Sequence, residues 1–172
     1  MNREGAPSKR IRPHSVWTGS DVIFWRGAVN SKAPQCGDGG GIYTPANDSW
    51  RGMTLDGAPS LRSGDGVVWT GKEMLSWGGF SCTKGDYGFP ALSDGAAYNP
   101  TTDTWRSISS KNAPSPRSHH VTVWTGDEMF LWGGKVQGLA EKQKARLLND
   151  AFAYHPTTDT WRKLTSEGAH EA

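Results

Sequence analysis

The sequence lacks the features that mark several classes of protein. It has no run of 18 apolar residues, so no membrane-spanning helix is predicted. Its 19 basic and 17 acidic residues nearly balance, and a net charge of +2 argues against a dedicated nucleic-acid binder. No apolar stretch of the kind found in signal peptides follows Met1. We therefore expect a cytoplasmic product, with an extracytoplasmic location as the open alternative.

Recurring catalytic and metal-binding motifs are also absent. The sequence contains no G-x-S-x-G, no H-E-x-x-H, no P-loop and no C-x-x-C. Its five histidines follow no metal-ligand spacing. We therefore predict that the chain is not an enzyme and that it has no catalytic residues, metal or cofactor.

Tryptophan, by contrast, is abundant, and it repeats. The nine tryptophans fall at three positions, each used three times at spacings of 52 to 56 residues. The three sets are Trp17, Trp69 and Trp124; Trp25, Trp77 and Trp132; and Trp50, Trp105 and Trp161. Self-similarity at a period near 50 residues indicates stacked supersecondary units. We expect the first two sets to be buried between neighbouring units.

The same motifs surround the tryptophans in every unit. Ala-Pro-Ser-x-Arg opens the unit, Val-Trp-Thr-Gly follows, and a short apolar run then ends in tryptophan and glycine. Later comes Tyr-x-Pro-x-x-Asp-Ser/Thr-Trp-Arg. β-branched and aromatic residues favour strands, Thr-Gly suits a hairpin turn, and the proline ends a strand. The pattern predicts four antiparallel strands in each of three units, at about 5–56, 57–112 and 113–168 of a single 1–172 domain.

These motifs resemble the kelch repeat. The resemblance rests on the double glycines Gly78-Gly79 and Gly133-Gly134 and on the later tyrosine and tryptophan, and it covers residues 5–166. It implies an all-β fold of kelch-type propeller blades, whose first strand is innermost and lines a central channel. The first unit departs from the pattern because Arg26 replaces the first glycine. Whether the first blade has the close backbone packing expected at that position is therefore open.

The resemblance also suggests where a ligand would bind. It implies that Arg10, Arg62 and Arg117, which recur before the first strand, ring one mouth of the channel, where some relatives contact acidic peptides. The structural alternative is that these arginines donate hydrogen bonds to turn carbonyls between blades. His14, His119 and His120 lie near the same mouth. We predict a non-enzymatic interaction or scaffold module that presents loops and the channel mouth to a protein or acidic ligand.

The loops between the second and third strands differ most among the units, and such loops often form the binding face of a repeat protein. The second unit carries Phe80, Tyr87 and Phe89 there, aromatics without a counterpart in the other units. They are candidates for stacking on sugars, so a carbohydrate-binding propeller is the second hypothesis. A small enzyme acting in the channel through arginine and histidine is the third. In the third unit, Ala140 to Leu148 are good helix formers and predict a surface turn of helix, with a partner-docking element as the open alternative.

Only two cysteines are present, and they lie in these variable loops of adjacent units. Free thiols are the expected state of Cys36 and Cys82. A disulfide is the open alternative, because the repeat geometry brings neighbouring loops to the same face.

Three blades do not close a propeller ring, which needs about four to eight. Three blades alone would leave two uncovered apolar faces, a larger patch than soluble monomers usually expose. Two copies of a three-blade chain supply six blades, and two-fold symmetry is the commonest form of oligomer. We therefore predict a homodimer that completes a six-bladed ring.

Overall fold

The computed structural model describes residues 2–29, 36–37, 39–83, 88–136 and 145–165. Within these ranges the chain is all-β, with sixteen strands, a single 3-10 turn at Pro45–Asn47 and no α-helix. The first eight strands are β1 (His14–Trp17), β2 (Val22–Trp25), β3 (Gly40–Thr44), β4 (Ser49–Arg51), β5 (Arg62–Ser63), β6 (Gly66–Trp69), β7 (Met74–Trp77) and β8 (Phe80–Ser81). The others are β9 (Gly95–Asn99), β10 (Thr104–Ser107), β11 (Val121–Trp124), β12 (Met129–Trp132), β13 (Lys135–Val136), β14 (Arg146–Leu147), β15 (Ala151–His155) and β16 (Thr160–Lys163).

Twelve of these strands form three four-stranded antiparallel sheets, which we call blades 1, 2 and 3. Their strand orders are β1-β2-β3-β4, β6-β7-β9-β10 and β11-β12-β15-β16. This confirms the predicted all-β class and the four-stranded blade. Two short ribbons, β5-β8 and β13-β14, were not predicted. Residues 146–147 form a strand where a helical turn was expected, and residues 140–144 lie outside the described residues.

Each blade turns sharply at the recurring aspartate that follows the third strand. Asp48, Asp103 and Asp159 adopt a left-handed backbone, with φ between 49° and 53°. Each accepts a hydrogen bond from the tyrosine hydroxyl five residues earlier, at 2.6 to 2.7 Å. A short polar side chain that tolerates this conformation suits such a turn. These carboxylates are therefore part of the scaffold.

The core lies at the two seams where neighbouring blades meet. One buried cluster joins blades 1 and 2, and it includes Ile23, Trp25 and Tyr98. The other joins blades 2 and 3 around Leu75 and Trp77. At each seam, a tryptophan from the second strand of one blade packs on a tryptophan from the fourth strand of the next. These pairs are Trp25–Trp105, with ring centroids 4.7 Å apart, and Trp77–Trp161, at 5.2 Å.

The end blades expose tryptophans whose counterparts are covered at the seams. Trp25 and Trp77 are fully buried, but Trp132 at the same position of blade 3 is 45% exposed. Trp17 of blade 1 is 55% exposed, whereas its counterpart Trp69 packs against the cluster between blades 1 and 2. The prediction that both tryptophan sets are buried was therefore wrong for Trp17 and Trp132, because no described blade covers those two faces.

The first strands of the three blades lie beside one another, β1 against β6 and β6 against β11. This is the inner position that the resemblance implied. We call the end of the blades where these strands begin the loop face, and the opposite end, with the Thr-Gly turns, the turn face. No helix of the described residues is long and apolar enough to cross a membrane.

Arg26 takes a backbone conformation close to that of the glycines it replaces. Its φ is 55°, compared with 71° for Gly78 and 68° for Gly133. Its guanidinium lies 4.4 Å from the Trp25 ring centroid and donates a hydrogen bond to the Pro59 carbonyl of the next blade. The turn is kept, and the side chain is buried against blade 2.

Candidate functional site

The loop face carries exposed apolar side chains from every blade. Blade 1 contributes Ile11 and Val29, blade 2 contributes Leu61, and blade 3 contributes Leu147, which is 73% exposed. These residues lie in or beside the short pairings Ile11–Ala28, β5-β8 and β13-β14. Large apolar side chains exposed on one face often mark a protein-interaction site.

Two of the three predicted mouth arginines are structural. Arg62 and Arg117 are fully buried. Arg62 donates to the Gly78 and Asp94 carbonyls at 3.1 and 2.9 Å, and its other guanidinium nitrogen lies 2.7 Å from the Asp94 carboxylate. These partners lie within its own blade rather than between blades. The Arg62 guanidinium group is therefore enclosed by its own blade and is not exposed to a ligand in this structure.

Arg117 repeats this arrangement in blade 3. It donates to the Gly133 carbonyl at 3.0 Å and to the Asp150 carboxylate at 2.6 and 3.1 Å. The hydrogen bond and charge of Arg117 hold the pKa of Asp150 below its usual value. The sequence analysis missed the acidic partners Asp94 and Asp150, although both directly precede the third strand of their blades. The Arg117 guanidinium group is likewise enclosed within its blade.

Arg10 of blade 1 is only half-buried. It donates to the Arg26 and Gly39 carbonyls, each at 3.0 Å. Gly39 occupies the position of the aspartates that pair with the buried arginines in blades 2 and 3. The structure places Arg10 at the loop face.

His14 forms an ion pair across the seam between blades 1 and 2. Its Nε2 lies 3.2 Å from the Asp65 carboxylate, whose side chain is fully buried and also accepts a hydrogen bond from Ser76 at 2.8 Å. Burial acts to lower the pKa of His14, but the hydrogen bond and charge of Asp65 raise it above its usual value. Because the carboxylate stands between the serine and the imidazole, the arrangement does not activate Ser76 as a nucleophile.

His120 is buried in the seam between blades 2 and 3. Its ring packs edge-on against Trp77, with centroids 5.6 Å apart. Neither ring nitrogen has a hydrogen-bond partner among the described residues. Burial, and to a smaller extent the charge of Arg117, lower the pKa of His120 to about 4. The predicted mouth residue is therefore a neutral core side chain at pH 7.

His119, by contrast, is exposed at the loop face. Its ring stacks on Phe80 with centroids 5.6 Å apart, and Phe89 lies beside Phe80 at 6.4 Å. Burial and the neighbouring charge of Lys135 lower the pKa of His119. The structure thus brings three of the predicted residues together in one aromatic group, while Tyr87 lies outside the described residues.

Basic side chains surround this surface. Arg12 and Arg146 are exposed, and Lys135 is partly exposed. Asp94 and Asp150, on the same face, are each paired with a buried arginine. The described part of the loop face therefore combines apolar and positively charged groups. The described residues contain no group of three or more histidine, cysteine or acidic side chains that could hold a metal ion.

A groove of about 500 Å³ lies on the turn face between blades 2 and 3. Its walls include Trp124, His155 and the ion pair of Arg106 with Glu73, whose closest oxygen and nitrogen are 2.6 Å apart. The Arg106 guanidinium is already paired with the Glu73 carboxylate. The groove therefore contains both positive and negative side chains, and neither charge dominates.

The two cysteines are bonded to each other. Cys36 and Cys82 form a disulfide with their Cα atoms 6.0 Å apart. The expectation of two free thiols was therefore wrong, because the loops of blades 1 and 2 approach more closely than the sequence could show. The bond lies at the loop face, between the residues that follow β2 and β7.

Comparison with known proteins gives one match to most of the chain and several to shorter stretches. The model of the KLHDC2/KLHL20/DRC7 Kelch-repeats domain matches residues 14–172. Kelch domain-containing protein 2 of Homo sapiens and that of Rattus norvegicus are each 37% identical over 59 residues, which is 32% of this chain and 14% of theirs. Rho GTPase-activating protein gacHH of Dictyostelium discoideum is 29% identical over 55 residues, which is 32% of this chain and 4% of its own length.

The alignments with these relatives thus cover about a third of this chain and only a small part of each relative. The family match covers all but the first 13 residues and agrees with the three observed four-stranded blades. Kelch-repeat domains are typically protein-interaction modules. The chain belongs to the kelch-repeat family.

Proposed function

We propose that this chain is a non-enzymatic interaction module that binds a protein segment rich in acidic and apolar residues at its loop face. The observation that carries this proposal is the set of exposed apolar side chains that all three blades place on one face, among basic groups. Apolar contacts would supply most of the affinity, and Arg12, Lys135 and Arg146 would favour acidic partners and speed association.

Selection from a phage-displayed library of random peptides tests this proposal. We expect enriched peptides to combine acidic and apolar residues. Leu147→Ser and Arg146→Glu should each weaken their binding about tenfold or more, since each removes an exposed contact of the loop face. Lys72→Glu is the matched control, because Lys72 is exposed at the turn face. It should bind the peptides as the unaltered chain does.

Two results would contradict the proposal. One is an equal effect of Lys72→Glu and Arg146→Glu, which would show that the loop face is not where peptides bind. The other is the absence of enriched peptides together with binding on a glycan array, which would support the carbohydrate-binding hypothesis instead.

We further propose that two copies of the chain close a six-bladed ring. Both internal seams join the same two kinds of blade face, as the pairs Trp25–Trp105 and Trp77–Trp161 show. The uncovered face of blade 3 presents Val121, Val123 and Trp132, all exposed. This is the kind of face that blades 1 and 2 bury.

The uncovered face of blade 1 is the complementary kind. It presents Trp17 and Trp50, the counterparts of tryptophans that receive the neighbouring blade at the internal seams. Blade 3 of one copy would therefore pack on blade 1 of the other. Two such contacts, related by two-fold symmetry, would cover all four end faces.

A polar contact supports the same pairing of faces. At the seam between blades 2 and 3, Arg106 donates to the Tyr154 hydroxyl at 3.3 Å and to the Pro156 carbonyl at 3.5 Å. The counterparts of these residues are Arg162 of blade 3 and Tyr43 of blade 1. Arg162 is exposed and Tyr43 is partly exposed. In the ring, Arg162 of one copy would meet Tyr43 of the other.

Light scattering on a sizing column tests the ring. We expect twice the chain mass of 18.7 kDa at micromolar concentration. Trp132→Asp should give the single-chain mass while remaining folded, since it places a charge at an uncovered face without disturbing either internal seam. A folded species of 18.7 kDa from the unaltered chain would reject closure by a second copy. It would favour further blades of a longer chain as the cover for these faces.

A further inference from the structure

The disulfide between Cys36 and Cys82 crosses the seam between blades 1 and 2 at the loop face. Cys36 pairs with Ala28, which also pairs with Ile11, so it belongs to the short ribbon at the start of blade 1. Cys82 directly follows β8 and donates its N–H to the Leu61 carbonyl at 3.0 Å. The bond therefore joins the loop-face ribbon of blade 1 to that of blade 2.

The two seams are held in different ways at this face. Between blades 2 and 3, the N–H of Gly79 donates to the Arg117 carbonyl at 2.8 Å, and the N–H of His119 donates to the Gly64 carbonyl at 2.8 Å. Among the described residues, no backbone hydrogen bond joins residues 11–37 to residues 58–82. There the disulfide and the buried Arg26 side chain connect the blades instead.

We infer that this disulfide is a reversible covalent staple, and that thiol–disulfide exchange at Cys36 and Cys82 sets the order of the blade 1 ribbon at the loop face. Both residues are partly exposed, so a small thiol can reach the bond. Accessible disulfides are the ones most readily reduced. The blade 2–3 seam, which has backbone hydrogen bonds in place of a disulfide, does not respond to thiols.

Glutathione is a suitable reagent for the exchange. Its thiolate attacks one sulfur of the protein, forms a mixed disulfide with it and releases the other sulfur as a thiolate. A second glutathione thiolate attacks the glutathione sulfur of the mixed disulfide, releases the remaining protein thiolate and leaves as glutathione disulfide. One protein disulfide is thus reduced to two thiols, and two glutathione molecules are oxidised to one disulfide.

Reduction leaves the blades packed. Away from the loop-face ribbons, the seam keeps the Trp25–Trp105 contact and the His14–Asp65 ion pair. The change is therefore confined to the ribbon and to Arg10, whose guanidinium lies against Gly37. In the cytoplasmic location that we propose from the sequence, thiols are kept reduced, so the staple would form on oxidation.

Amide hydrogen exchange of the full chain, measured by NMR before and after reduction, tests the staple. The ribbon amides of Ala28 and Gly37, which donate to the Ile11 and Gly27 carbonyls, should exchange about tenfold faster or more in the reduced protein. The amides of Gly79 and His119 at the other seam serve as the internal reference and should not change. Titration in glutathione buffers should expose both thiols to alkylation together.

The double variant Cys36→Ser and Cys82→Ser is the control. It should remain folded and show the fast exchange with or without reductant. Identical exchange in the oxidised and reduced proteins, or oxidised protein in which both thiols still react, would overturn the inference.

Any effect of the staple on ligand binding at the loop face rests on the proposed function, whereas the staple itself does not. A working staple without peptide binding would reject the function alone. Peptide binding by a chain whose amide hydrogen exchange does not change on reduction would reject the staple alone.

Discussion

At the scale of single residues, the seams contain two histidines whose protonation acts in opposite directions. His120 is buried without a hydrogen-bond partner among the described residues, so the folded state favours its neutral form. His14 lies beside the buried Asp65 carboxylate, so the folded state favours its charged form. The pKa of His120 is lowered to about 4, and that of His14 is raised. The two groups therefore give stability in different pH ranges.

The direction in which each histidine changes stability with pH follows from the linkage between protonation and folding. The stability that comes from keeping His120 neutral is present above the unfolded-state pKa of about 6.5 and is lost as pH falls towards about 4. The stability from His14 is present below about 6.5 and is lost as pH rises through its raised folded-state pKa. Acidification thus weakens the seam between blades 2 and 3 and strengthens the seam between blades 1 and 2.

We predict that His120→Leu makes the chain less sensitive to acid. Between about pH 7 and about pH 5, charging of His120 should lower the free energy of unfolding of the original chain by about 2 kcal/mol. The leucine variant lacks this loss. Urea unfolding at the two pH values measures the difference, and His14→Gln is the control, since it should steepen the loss. An unchanged acid dependence in His120→Leu would show that His120 is solvated in the folded chain.

At the scale of strands and loops, repetition made the blades predictable. Each strand and turn occurs three times with the same residue types, and the four-stranded sheets follow that pattern. Features that occur only once in the chain were not predictable. The partners of Arg62 and Arg117 lie in loops of differing length, and the approach of Cys36 to Cys82 depends on how two such loops fold. The exposure of Trp132 depends on whether a blade follows it, which its local sequence does not contain.

The division between repeated scaffold and unique loop gives the second prediction. Trp77 repeats in every unit and is fully buried, so Trp77→Ala should lower the free energy of unfolding by about 3–5 kcal/mol. Phe89 lies in a loop found only in blade 2 and is partly exposed, so Phe89→Ala should change it by about 1 kcal/mol or less. Denaturant midpoints of the two variants provide the test. Equal losses would mean that the loop aromatics are as much a part of the core as the seams.

At the scale of the whole molecule, nearly all the exposed large apolar side chains of the described residues lie on one of three surfaces. Ile11, Val29, Leu61 and Leu147 lie on the loop face. Trp17 lies on the uncovered face of blade 1, and Val121, Val123 and Trp132 lie on that of blade 3. We propose the first surface as the ligand site and the other two as the contact between two copies. Apolar exposure in the described chain is therefore concentrated where the proposals place contacts.

Closure of the ring predicts that thermal stability depends on protein concentration. Because unfolding of a dimer releases two chains, each tenfold rise in concentration should raise the melting temperature by about 2 °C for a pair of chains of this size. A scan from about 1 to about 100 µM should therefore shift it by about 4 °C. Trp132→Asp should melt at a lower temperature that no longer depends on concentration, because the charge would be buried unpaired at the contact. Lys72→Glu, a charge change on the turn face, should keep the full dependence. A melting temperature of the original chain that is constant across this range would show that the blade 1 and blade 3 faces do not meet in a second copy.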